Sequence, residues 1–172
     1  LMVDEAHSML AVGPTGRGAA EAFGVEGDVA LTYGTFSKSF ANIGAVLAGS
    51  ARTMDYVRWF ANTYVFSAAL PPAVAAGVRA ALRVARATPA LRDALAANAD
   101  YFRAGLHTLG VGTGESASHV IPIVVGSDRA LLYELTATLR ERGVFVAPVD
   151  YPSVPEHELR LRSCVTAAHT RR

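Results

Sequence analysis

One cysteine, Cys164, stands in 172 residues, so no disulfide can form within the chain, which fits a reducing, cytoplasmic setting. An excess of one charge sign is also missing: 16 Lys and Arg against 15 Asp and Glu leave a formal net charge of +1. That balance supplies no electrostatic argument for nucleic acid or an anionic membrane as a partner. No apolar run reaches the ~18 residues of a membrane span, and Arg79 and Arg83 interrupt the most alanine-rich stretch. Internal repeats and low-complexity tracts are absent beyond a general richness in alanine. No signal peptide or initiator methionine is visible, and the chain opens on Leu1 within an apolar run. It is read as a fragment whose start lies elsewhere. What remains is 51% hydrophobic and 18% charged, a globular composition long enough for one domain or parts of two.

Residues 1–3 are expected to end a buried strand, residues 29–33 and 44–49 to form two more, and the Gly/Pro-rich residues 13–18 to be a loop. Pro71-Pro72 predicts a helix start, because the first helical amide has no partner to lose. Val74, Val78, Leu82 and Ala85 make that helix's apolar stripe, with Arg79, Arg83 and Arg86 on its polar side. Thr88-Pro89 ends it and begins a second helix, in which Leu91, Leu95, Phe102, Leu106 and Leu109 recur at helical spacing until Gly110. A Gly/Ser-rich loop over 111–118 leads to a strand at 120–125. A helix capped by Ser127 and closed by Gly143 follows, then strands at 144–146 and 159–165. The order is β-loop-β-β, two long helices, then β-α-β-β. It predicts α/β in the first part and α+β in the last, with the helices bridging two lobes.

Two segments carry the chemistry. Val3-Asp4-Glu5-Ala6-His7-Ser8 follows the first strand, and Gly34-Thr35-Phe36-Ser37-Lys38-Ser39-Phe40 follows the second. A carboxylate at one strand end and a lysine at the next suit pyridoxal phosphate, with Lys38 condensing with its aldehyde and Asp4 keeping its ring nitrogen protonated. His7 is placed to meet the ring hydroxyl or lie near the ring plane. Lys38 is expected in an apolar surround, which favours a nucleophilic amine, and the hydroxyls of Thr35 and Ser37 suit a phosphate. Each segment has a plainer reading: a solvated loop after a strand, and a lysine in a Ser/Thr-rich turn. The letters Asp-Glu-Ala-His also mark the metal-binding strand of a helicase family, but that chemistry needs a glycine-rich phosphate loop ending in lysine, and residues 13–18 contain none. No metal site is assigned, Cys164 is given no role, and His119 and His169 are read as structural.

Residues 4–18, reading DEAHSMLAVGPTGRG, and 34–40, reading GTFSKSF, resemble the α-oxoamine synthases, a group of fold-type I pyridoxal-phosphate enzymes. Residues 66–72, 118–123, 144–155 and 159–170 continue the resemblance along the whole length. It implies part of that transferase fold: residues 1–86 ending the large cofactor domain with its inter-domain helix, and 87–172 forming a small α+β domain. It implies that Asp4 holds the pyridinium nitrogen, His7 contacts the ring oxygen, Thr35 and Ser37 hold the phosphate, and Lys38 forms the Schiff base and moves the Cα proton. Ser67 and Ala68 would reach the phosphate of a neighbouring subunit, giving a homodimer with shared active sites. Arg162 would bind the amino-acid carboxylate, with Arg160 as the alternative, since residues two apart share a strand face. The implied reaction condenses serine, alanine or glycine with an acyl-CoA or an acyl carrier protein thioester. The Thr-Phe-Ser-Lys-Ser form leans towards the serine palmitoyltransferase branch. A plain aminotransferase and a non-catalytic partner subunit are the rivals. Two departures stand out: Ser8-Met9-Leu10 replaces a usual Ser-x-Gly, and Ala41-Asn42-Ile43-Gly44-Ala45 replaces part of a Gly-Gly segment.

Overall fold

The computed structural model describes residues 1–171. The chain divides into two compact units, Leu1–Arg92 and Asp93–Arg172.

The first unit is built on a three-stranded sheet in the order β1-β2-β3. Strand β1 (Met2–Asp4) lies parallel to β2 (Leu31–Thr35), with Asp4 opposite Tyr33. Parallel neighbours require a crossover. Here it is made by the loop over residues 5–18, the one-turn helix α1 (Ala19–Ala22) and a 3-10 turn at Glu26–Asp28. Strand β3 (Ala45–Gly49) returns antiparallel to β2, with Ala45 opposite Thr35. Strand β2 starts two residues later than hydrophobicity predicts, because the Val29 amide is taken by the Glu26 carbonyl of the 3-10 turn.

Residues 50–65 hold two helices that the expected element order omitted. Helix α2 (Ala51–Phe60) begins where the Ser50 hydroxyl accepts the Thr53 amide at 3.2 Å, and α3 (Asn62–Val65) follows. Serine at a helix entrance satisfies an otherwise orphaned amide, and no glycine or proline interrupts the run. Helix α4 (Pro72–Ala87) starts on Pro72 as predicted. Its Val74, Val78, Leu82 and Ala85 are half-buried, while Arg79, Arg83 and Arg86 are exposed.

Helix α5 (Ala90–Thr108) leads into the second unit, whose sheet has the order β4-β6-β5 and is antiparallel throughout. Strand β4 (Val120–Gly126) and β5 (Ala147–Val149) flank β6 (Leu159–Cys164), and α6 (Arg129–Glu141) lies between β4 and β5 in the chain. Leu132, Val146, Leu159 and Leu161 form one core cluster; Ala99, Ile121 and Val165 form another, with Phe102 and Leu106 against it. Beyond shifts of one or two residues at element ends, two assignments differ from expectation. The cap of α6 is Asp128, whose carboxylate accepts the Leu131 amide at 2.9 Å, not Ser127. Residues 144–146 are not a strand: Val146 is buried in the core while Phe145 is exposed beneath the Arg140 guanidinium, 5.5 Å from its ring centre. Among the described residues no helix is long and apolar enough to cross a membrane.

Candidate active site

The carboxyl ends of β1 and β2 lie at one edge of the first sheet, because the two strands are parallel and in register. Such edges are where ligands bind in open α/β sheets. Asp4 ends β1 and is exposed; its Oδ1 accepts the Ala6 amide at 2.9 Å, and its Oδ2 has no partner among the described residues. The same turn carries the exposed His7.

Beyond β2 the chain folds into a closed loop. The Phe36 amide donates to the Gly44 carbonyl at 2.9 Å, the Asn42 amide to the Phe36 carbonyl at 2.8 Å, and the Ala41 amide to the Lys38 carbonyl at 2.8 Å. Phe40 is buried and meets Phe36 edge to face, with ring centres 5.2 Å apart. The Asn42 side chain donates to the Val74 carbonyl of α4 at 3.3 Å, fixing the loop to that helix. Thr35 Oγ1 and Ser37 Oγ are 2.9 Å apart, so the two hydroxyls predicted to serve one anion are adjacent. Lys38 lies in this loop and is exposed, in place of the expected apolar surround, while the two phenylalanines pack against each other. It is the chain's only lysine, the other 15 basic residues all being arginine. That singularity is a signal legible in the sequence that motif reading passed over.

Glu5, which has a role only under the helicase alternative, is completely buried. Its carboxylate accepts the Ala19 amide at 2.7 Å, the Ala20 amide at 2.9 Å and the Ser8 hydroxyl. The helicase reading would need this carboxylate to face a reacting water, and here three protein donors occupy it. A second carboxylate holds the other side of the glycine-rich loop. Glu21 accepts the Thr15 hydroxyl at 2.5 Å, the Thr15 and Arg17 amides at 3.0 Å each, and Arg17 Nε at 3.1 Å. The Thr15 hydroxyl, followed by these other donors, draws its pKa down to about 2.

Leu10, which stands where the resembled family has glycine, has φ 65, and Ala41 in the second departing segment has φ 49. Glycine adopts that left-handed region freely, while a side chain costs about 1–2 kcal/mol. Both departures therefore keep a backbone shape that suits glycine.

Ser67 and Ala68 lie on the exposed segment after α3, with the Ser67 hydroxyl donating to the Thr63 carbonyl. In the second unit, Arg160 and Arg162 share the face of β6 opposite the buried Leu159 and Leu161. Arg160 is already engaged: Nε donates to the Glu158 carbonyl at 2.9 Å and its terminal nitrogen to Glu158 Oε2 at 2.6 Å. Arg162 is exposed and has no partner among the described residues. His169 lies in the turn after β6, where its Nδ1 accepts the Thr166 amide at 3.1 Å and its carbonyl accepts the Asn98 side chain at 2.9 Å. His119 precedes β4, and its carbonyl accepts the Val165 amide at 3.0 Å.

An exposed primary amine, a carboxylate and paired hydroxyls at one sheet edge can together hold a carbonyl-bearing, cationic, anion-tailed heterocycle. The family described as aminotransferase class I and II matches residues 1–172. The chain belongs to that family. Among curated relatives, it is 41% identical over 169 residues to a serine palmitoyltransferase of Bacteriovorax stolpii, covering 98% of this chain and 40% of that one. It is 39% identical over 171 residues to an 8-amino-7-oxononanoate synthase of Exiguobacterium sibiricum, covering 99% and 44%. The solved serine palmitoyltransferase of S. paucimobilis, with a bound PLP–myriocin aldimine, superposes with a TM-score of 0.91 at 31% identity, covering 99% of this chain and 43% of that one. These names fit the α-oxoamine synthase group that the motifs resemble, and the mixed α/β architecture is that of the pyridoxal-phosphate transferase fold. The chain spans between 40% and 44% of the length of these two curated relatives.

Proposed function

We propose that the protein containing this chain is a pyridoxal-phosphate-dependent acyltransferase. It would join the Cα of serine, alanine or glycine to the acyl carbon of a thioester; the thiol leaves with the C–S bonding pair, the amino-acid carboxyl departs as CO2, and an α-amino ketone is released. The observation that carries this reading is the placement of the chain's only lysine just beyond β2, beside the parallel strand that Asp4 ends. The residues present fit the cofactor: an exposed amine, a carboxylate with one open oxygen, and two adjacent hydroxyls match an aldehyde, a ring nitrogen and a phosphate.

Bound there, the cofactor supplies an electron sink for a carbanion at the amino-acid Cα. Asp4 would hold a proton at the ring nitrogen, and His7 would bond the ring oxygen. Thr35 and Ser37 would donate to the phosphate. Lys38 would anchor the cofactor, then take and return the proton at Cα. Arg162 would orient the amino-acid carboxylate through two parallel N–H donors. Ser67 and Ala68 would complete the phosphate site of a second subunit. In such a homodimer the two positions would be within reach of the partner, since Ser67 and Ala68 are both exposed. A cytoplasmic enzyme using acyl-CoA or an acyl carrier protein completes the reading.

The test is the whole protein with pyridoxal phosphate, beside its Lys38→Ala variant. The expected result is a visible absorbance band trapped by borohydride on the peptide bearing residue 38, absent from the variant, and thiol release when an acyl-CoA and serine, alanine or glycine are both present. No band in the whole protein would overturn the cofactor reading. Transfer of the amino group to a keto acid without thiol release would replace the acyltransferase by an aminotransferase.

A further inference from the structure

Glu5 lies between two proposed cofactor contacts, Asp4 and His7, yet points away from solvent into the protein. Its amide donates to the Tyr33 carbonyl at 2.8 Å, extending the β1–β2 pairing by one residue. Its carbonyl accepts the Ser8 and Met9 amides at 3.1 and 2.9 Å, which shapes the turn over residues 5–9. Its carboxylate then reaches across 14 and 15 positions to the amides of Ala19 and Ala20. The site is built to admit it: Gly18, at φ 117, leaves room that any side chain would fill, since a Cβ there would stand 2.2 Å from Glu5 Oε2. Both carboxylate oxygens face N–H donors, Oε2 that of Ala19 and Oε1 that of Ala20. A glutamine would therefore have to turn its own NH2 towards one of them.

We propose that Glu5 is a positioning residue: its buried carboxylate ties the start of α1, directly after the glycine-rich loop, to the turn between Asp4 and His7 and so sets where those two side chains meet the cofactor. This rests on the cofactor reading above. Glu21 provides the internal contrast. It clamps the same loop through Thr15 and Arg17, and a Cβ on Gly13 would stand 2.4 Å from its Oε2, but its recorded bonds do not reach the Asp4–His7 turn.

The experiment measures pyridoxal-phosphate affinity and visible circular dichroism per bound cofactor in the whole protein and its Glu5→Gln, Gly18→Ala, Ser8→Ala and Glu21→Gln variants. The cofactor-free melting midpoint of each is measured alongside. Glu5→Gln and Gly18→Ala are expected to weaken binding tenfold or more and to lower the dichroism, although Lys38 is untouched. Ser8→Ala, which removes one of three donors, is expected to weaken binding several-fold and serves if the harsher variants do not fold. Glu21→Gln is expected to stay within twofold of wild type even where its melting midpoint falls. Wild-type affinity and dichroism in the Glu5, Gly18 or Ser8 variants would overturn the proposal. So would an equal loss in Glu21→Gln, which would make the clamp a matter of loop folding alone. Failure of the unaltered protein to bind the cofactor would instead refute the cofactor reading, and this proposal with it.

Discussion

Arg160 and Arg162 offer the same side chain two residues apart on one strand, and their surroundings predict opposite responses to removal. Both are on β6, the central strand of its sheet; Arg162 is opposite Pro122 on one side and Ala147 on the other, so its backbone is held from both flanks. The Arg162 guanidinium has no protein partner among the described residues and is free to take a carboxylate as a two-bond fork. Charge-assisted hydrogen bonds are each worth about 1.5–3 kcal/mol net, and an exposed position argues for the lower end. Losing both in Arg162→Ala should cost about 3 kcal/mol of amino-acid recognition, on the order of 100-fold in kcat/KM for the amino acid. Arg162→Lys keeps the charge without the fork and should lose roughly tenfold. Arg160 spends its donors on Glu158, and an exposed pair of that kind contributes about 0–1 kcal/mol. Arg160→Ala should therefore leave kcat/KM within about threefold while slightly lowering the melting midpoint. The assay is thiol release by the whole protein at saturating acyl thioester with the amino acid varied. A larger loss in Arg160→Ala than in Arg162→Ala would refute the reasoning and make Glu158 a displaceable partner.

Two further outcomes are expected. Asp128→Ala should destabilise the second unit by about 1 kcal/mol through loss of the α6 cap, while Ser127→Ala should change stability by less than about half that; equal effects, measured by denaturant midpoint, would place the cap elsewhere. Glu21 has its pKa drawn from an ordinary 4.5 to about 2, chiefly by the Thr15 hydroxyl, so its contribution is complete above pH 4.5 and is lost as pH falls from there towards 2. The melting-midpoint difference between wild type and Glu21→Gln should therefore shrink steadily across that acid range, and a difference independent of pH would refute the assignment.

The sequence by itself determined the elements whose pattern is local. Pro72 opens α4 because φ and the missing amide suit that position whatever the tertiary context. The alternation of Leu159 and Leu161 with Arg160 and Arg162 sorts β6 into a core face and a polar face before any partner is known. The adjacency of Thr35, Ser37 and Lys38 was legible for the same reason: one short loop holds them all. Strand ends were not, because pairing decides them. Val29 goes to a 3-10 turn and Val146 to the core, although both have strand-forming side chains. Helices α2 and α3 are missing from the expected order because their bulkiest side chains, Trp59 and Phe60 among them, are exposed, and only a short stripe of Met54 and Val57 is half-buried. Glu5 is the sharpest case. A glutamate in a polar tetrapeptide reads as a solvated or catalytic acid, and nothing nearby in sequence says otherwise. Only the fold brings the amides of Ala19 and Ala20, and the Cβ-free Gly18 beside them, up to its carboxylate. Burying such a group is tolerable only where donors replace its water, and those donors come from another part of the chain.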